Sequence, residues 1–144
     1  MTSEAVLSPC LLDTNILLRI ILKDNPAQWE AAIRLIEDAP SEALRLILMP
    51  TTVSELVYVL GGPKEGRSVA EVASALETVL ALPIRIIDLS VIATAVELYR
   101  NHHSDWDDCV VAAYAIDRAG GRLASFDLGL DRIPGLARLA PGAA

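Results

Sequence analysis

A chain of 144 residues that is 53% hydrophobic but only 4% aromatic carries enough aliphatic side chain for one core, so residues 1–144 read as a single domain. The formal net charge of −7 argues against a broadly basic nucleic-acid surface, although metal ions held by clustered acids would reverse the local sign where substrate phosphates sit. The apolar stretches break off well before the roughly 18 residues of a membrane span, and the opening MTSEAVLSPC has neither the basic region nor the apolar run of a signal peptide; the expectation is a soluble, cytoplasmic protein.

In chain order, the first strand is expected over Pro9 to Leu12, ending at Asp13, with Asn15 to Leu22 helical behind it. A second helix follows Pro26, with an apolar stripe at Trp29, Ala32, Ile33 and Ile36. Leu46 to Met49 reads as the next strand and Thr52 to Leu60 as a helix stopped by Gly61 and Gly62. Ser68 to Leu80 is a helix capped by Ser68 with Glu71 three residues on. Ile84 to Ile87 is a short β-branched strand, and Ser90 to Asn101 and Asp107 to Ala119 are helices, the latter ended by Gly120 and Gly121. Arg122 to Ser125 should be a strand, FDLGLDRIPG a turn region, and Ala137 to Leu139 a last short strand before a loose PGAA tail. Strands alternating with helices imply a mainly parallel sheet covered on both faces.

Against this framework four acids stand out. From Pro9 to Leu18 the only charge is Asp13, and from Met49 to Gly62 the only charge is Glu55. Asp127 follows a strand end, and Asp108 opens a helix. Ligands of open α/β sheets bind beyond the carboxyl ends of the strands, which makes the four candidates for one pocket. Carboxylates gathered there and withdrawn from water would repel one another, and a divalent cation is the natural remedy. Each acid also has a bland explanation. Asp13 and Asp127 suit helix caps or turns, Thr52-Val53-Ser54-Glu55 matches a capping box, and acids such as Asp105, Asp107 and Asp108 are common in a first helical turn.

Other features weigh less. Gly61 to Ser68 mimics a phosphate-binding loop but follows a helix and has Arg67 where the lysine belongs. His102 and His103 are adjacent, so they form no i, i+4 ligand pair and read as electrostatic caps of a helix end. Cys10 and Cys109 lie in apolar segments and read as buried free thiols. Arg19 and Lys23, four apart on the helix after Asp13, suit either a phosphate contact or a solvated face.

With the acids placed, four segments resemble motifs of the PIN-domain family, in particular the small toxins of VapBC-type toxin–antitoxin pairs. Leu11-Leu12-Asp13-Thr14-Asn15 resembles its opening signature, and Thr52-Val53-Ser54-Glu55-Leu56 its Glu-bearing helix. Asp105-Trp106-Asp107-Asp108-Cys109-Val110-Val111-Ala112-Ala113 resembles its D-F-x-D-A-L-I-A-A stretch, departing at Asp107 and Cys109; Ser125-Phe126-Asp127 with Arg132-Ile133-Pro134-Gly135-Leu136 resembles its closing segment. The resemblance implies a three-layer α/β/α sandwich with a mainly parallel central sheet, and an endoribonuclease that hydrolyses RNA phosphodiester bonds with Mg²⁺ or Mn²⁺. Asp13, Glu55, Asp108 and Asp127 would hold the metal, directly or through water, and form the catalytic set. Thr14, Asn15 and Ser125 would orient them, with Asp105 or Asp107 auxiliary. A homodimer and a cognate antitoxin that blocks the site are implied as partners.

Two other functions compete. Phosphoryl transfer through a nucleophilic Asp13 would want a second Asp where this chain has Asn15, or a strand-end lysine where it has none, Lys23 and Lys64 lying elsewhere. A non-catalytic PIN-like module that binds RNA or protein would have no need to keep four such acids.

Overall fold

The computed structural model describes residues 6–142; parts of the MTSEAVLSPC start and of the PGAA tail therefore lie outside the described residues. Strand β1 (Ser8–Leu11) passes through Leu12 and Asp13 into α1 (Thr14–Leu22). Helix α2 (Pro26–Asp38) starts with Pro26 in its first turn and Asn25 as a cap whose side chain accepts from the Gln28 N–H, the arrangement that satisfies orphan amides at a helix start. A 3₁₀ turn (Ala39–Glu42) leads to β2 (Leu44–Leu48), followed by α3 (Pro50–Gly61), α4 (Val69–Leu80), β3 (Arg85–Ile86), α5 (Leu89–Asn101) and α6 (Trp106–Arg118). Strand β4 (Arg122–Ala124), a second 3₁₀ turn (Leu128–Arg132) and β5 (Ala137–Leu139) close the chain.

Every strand pair is parallel, as the alternation of elements predicts. The strands form two ladders, β1-β2-β3 and β4-β5. Leu11 pairs with Ile47, so β1 and β2 end together and deliver α1 and α3 to the same rim. The helices bury an aliphatic core in which Leu17, Leu48, Leu56, Leu60, Leu76 and Ile92 are fully enclosed, each stabilising the fold by roughly 1.5–3 kcal/mol. No helix among the described residues is long and apolar enough to cross a membrane.

The differences from expectation fall at element ends. Helix α3 begins at Pro50 rather than Thr52, because proline at the first helical position needs no N–H partner. Its cap is Met49, which makes no side-chain bond, so the capping box expected at Thr52 to Glu55 does not form. The expected box at Ser68 does form, with Ser68 and Glu71 exchanging both bonds, and the loop that mimics a phosphate-binding motif follows α3 as a helix-to-helix connection. Gly121 turns the chain from α6 into β4 at φ +81°, and a Cβ there would run into the Gly135 carbonyl oxygen, so glycine is required.

Between β3 and α5, Asp88 adopts the left-handed conformation (φ 55°, ψ 41°). Its carboxylate accepts from Tyr114 Oη at 2.8 Å and Arg118 at 2.6 Å, fastening α6 to the sheet side of α5. The Tyr114 hydrogen bond, reinforced by Arg118, holds the Asp88 carboxyl below its ordinary value. A lowered folded-state value gives stability that is fully present above the unfolded value of about 4 and is lost as pH falls through the folded one. Asn tolerates the left-handed backbone, so Asp88→Asn isolates the charge. The variant is expected to melt at a lower temperature than wild type at pH 7, with the gap closing as pH drops below about 4 in thermal scans across pH.

Candidate functional site

At the rim where β1 and β2 end, burial alternates sharply: Leu12 and Thr14 are buried while Asp13 and Asn15 are exposed. Thr14 is the one buried polar residue among those described. Its backbone N–H donates to Asp13 Oδ1 at 2.8 Å, and its hydroxyl donates to Glu55 Oε2 at 2.6 Å across 41 residues of sequence. One threonine therefore holds two of the four expected acids, one from the start of α1 and one from the second turn of α3.

The other two acids sit on the α6 and β4 side. Asp108 is the third residue of α6, and the helix is capped by Asp105, whose side chain accepts from the Asp108 N–H at 3.1 Å. Asp108 Oδ2 lies 2.9 Å from His103 Nε2, and Asp108 lines a small cavity of about 210 Å³ with Ala124, Ser125 and Leu130. Ser125 Oγ accepts from the Asp127 N–H at 3.0 Å, and Asp127 Oδ1 caps the 3₁₀ turn through the Gly129 N–H at 2.8 Å. Arg138 on β5 fixes this turn from behind, bonding to the Ser125 carbonyl and pairing with Asp131, whose carboxyl it holds below the ordinary range. The two halves of the site are pinned together by Trp106 Nε1, which donates to Ser54 Oγ at 3.0 Å, next to Glu55 and two residues before Asp108.

The sequence trio Asp105, Asp107 and Asp108 is thereby divided. Asp105 is the cap, Asp107 accepts from Tyr58 Oη on α3, and Asp108 faces His103 and the β4 end. The Asp107 hydrogen bond pushes the Tyr58 phenol above its usual value. Capping does occur at Asp13 and Asp127, where it takes one carboxylate oxygen each, whereas Glu55 is bonded to Thr14 instead.

The premise that these acids are withdrawn from water needs correction: Asp13, Glu55 and Asp127 are exposed and Asp108 is half-buried, so they stand on a rim. Among the described residues no three His, Cys, Asp or Glu side chains converge closely enough to cage a metal. The donors present are hard carboxylate oxygens backed by hydroxyls, a set that suits Mg²⁺ or Mn²⁺, and Mg²⁺ in particular keeps several waters and takes only one or two carboxylates along with substrate phosphates.

The remaining basic candidates point away from the acids. Arg19 lines a cavity between α1 and α2, which Asn15 also borders, and pairs with Asp24. Lys23 lines a different cavity, between α1 and α4, with Arg67, and its ammonium sits 6.0 Å from the Trp29 ring centroid. Lys64 follows α3 in the loop before α4, so neither lysine serves Asp13 as a phosphotransfer site would require. Sequence reasoning took His103 for a helix cap and did not single out Arg138: spacing along one helix carries no trace of a contact made across a loop or a strand end.

Cys10 and Cys109 are both free, the former half-buried and the latter buried. Cys109 Sγ donates to the His103 carbonyl, and burial, followed by the charges of Asp108 and Asp105, pushes its thiol up to about 12. Thiolate is the reactive form, so Cys109 is expected to be inert. A thiol reagent at pH 8 should modify at most one cysteine per native chain, Cys10, and both in denaturant; two fast thiols in the native protein would contradict this packing.

Comparison with known proteins matches the PIN domain family model to residues 10–136. No curated protein matches the chain. Among solved structures, a crystal structure of VapBC2 from Rickettsia felis bound to a DNA fragment from their promoter matches at 19% identity, covering 92% of this chain and 98% of that chain, with a TM-score of 0.37. A likeness that loose carries no weight for what this chain does.

Proposed function

The chain belongs to the PIN domain family, and from that premise we propose that it is a Mg²⁺- or Mn²⁺-dependent endoribonuclease, the toxin of a toxin–antitoxin pair. The observation that carries the reading is the Thr14 bridge, which holds Asp13 and Glu55 from separate elements at one rim. A buried hydroxyl spent on aiming an exposed carboxylate does little for the core but fixes donors in place, as sites that hold metal require.

In this reading Asp13, Glu55, Asp108 and Asp127 hold the cation, directly or through water. A bound Mg²⁺ or Mn²⁺ would supply Lewis acidity and offset the charge that develops on the phosphate. Thr14 and Ser125 orient the acids, Asn15 borders the rim beside Asp13, and Asp105 fixes the start of α6. Hydrolysis forms one P–O bond from water and breaks another to the ribose, whose oxygen leaves with a proton; the carboxylates take up and return that proton as a coupled set. Asp107, turned towards Tyr58, plays a supporting part at most. With a chain charge of −7, the bound cations would also let a polyanion approach the rim.

The partners belong to the same proposal: a second copy of the chain, and a cognate antitoxin that covers the acids. Arg19 and Lys23 have no part in this reading, Arg19 being paired with Asp24 and Lys23 lying beside Trp29.

Asp13→Asn keeps a good helix cap while removing the charge. Mn²⁺-dependent cleavage of a single-stranded RNA panel is expected to fall on the order of 100-fold or more in this variant, and to vanish with EDTA. Equal cleavage by wild type and Asp13→Asn would sink the reading.

A further inference from the structure

We propose that His103 is a positioning residue for Asp108: its ring holds one oxygen of that carboxylate so that the other is presented to the cation. This rests on the metal-dependent reading above, and adds to it a residue that the four-acid set leaves out.

The ring is enclosed, with a side-chain exposure of 15%, and its Nε2 stands 2.9 Å from Asp108 Oδ2. An ionised carboxylate only accepts, so the ring must be the donor and Nε2 must carry the hydrogen. The backbone of His103 is fixed on both sides. Its N–H donates to the Leu98 carbonyl at 3.0 Å at the end of α5, and its carbonyl accepts from Cys109 Sγ at 3.2 Å. The ring edge faces the Asp127 turn, where a Cβ built on Gly129 would lie 3.8 Å from His103 Cε1. His103 thus bonds to Asp108 and has its ring edge near the turn that carries Asp127.

Asp108 is held at two points as a result: its backbone N–H by Asp105, and Oδ2 by His103. A carboxylate restrained in this way loses less rotamer freedom when its other oxygen takes a ligand, and removing partners of this kind commonly weakens metal binding about 10–100-fold. A helix-capping role, the alternative, would leave the ring free of Asp108 and indifferent to metal.

The test compares His103→Gln, whose amide nitrogen can donate from a similar place, with His103→Met, which fills similar volume without a donor. Mn²⁺ affinity of the full chain is read by electron paramagnetic resonance, with Asp108→Asn and the Asp108→Asn/His103→Met double variant alongside. Expected are a loss on the order of 10-fold in His103→Met, near wild-type affinity in His103→Gln, and no further loss when His103→Met is added to Asp108→Asn. Ring ¹⁵N shifts of the metal-free wild type should show the hydrogen on Nε2. Wild-type affinity in His103→Met, multiplicative losses in the double variant, or a hydrogen on Nδ1 alone would each overturn the inference. If Asp108→Asn itself binds Mn²⁺ like wild type, the metal-dependent reading fails and takes this one with it; if Asp108→Asn weakens binding but His103→Met does not, only the role of His103 is lost.

Discussion

The hydrogen bond from Thr14 to Glu55 is the constraint on which the rest of the site depends. It is made by the single buried polar side chain among the described residues, and it ties the start of α1 to the second turn of α3. Parallel pairing of β1 with β2 brings those two helix starts to one rim, but pairing alone leaves the side chains free. Thr14 removes that freedom, using its N–H for Asp13 and its hydroxyl for Glu55. Taking Glu55 away would leave a buried hydroxyl unpaired, at a cost of about 1–3 kcal/mol. Fold and site are coupled at this point, because the same side chain is part of the packed layer beneath and of the acid rim above.

Much of this was legible. Asp13 lies between a strand and a helix as expected, the glycines marked the end of α6, and the Ser68 capping box formed as its spacing implies. The capping box at Thr52 to Glu55 did not, although its pattern is equally good. Pro50 starts α3 two residues earlier, which puts Thr52 inside the helix and leaves Glu55 for a partner 41 residues away. A local pattern gives way when a tertiary contact offers the same side chain a better-placed donor. Strand limits slipped by one or two residues for a related reason: pairing ends where the neighbouring strand ends, and β3 keeps only Arg85 and Ile86.

His103 shows what periodicity cannot reach. Two adjacent histidines at a helix end look like caps when only their own helix is considered. The connection from α5 to α6 is short, however, and it folds His103 back onto the first turn of the next helix, five residues on. The acids of that turn are sorted by geometry rather than by type. Successive positions of a helix point about 100° apart, so Asp107 meets Tyr58 on α3 and Asp108 faces His103, while Asp105 sits before the first turn and caps it. Spacing alone does not separate these three carboxylates; the helix gives each a different partner.

Keeping the acids on a rim rather than inside the core has an energetic consequence. A buried cluster of carboxylates would cost several kcal/mol per charge without a cation, and the chain would then need metal in order to fold. Here Asp13, Glu55 and Asp127 face water, which screens their repulsion. The aliphatic core is complete without any ion, with Leu17, Leu48 and Leu56 fully enclosed. The aliphatic core and the acid rim are thus different layers, joined through Thr14 on one side and through Trp106 and Ser54 on the other. On the metal-dependent reading proposed above, such a division would let a weakly held, water-rich cation exchange while the scaffold beneath the acids stays fixed.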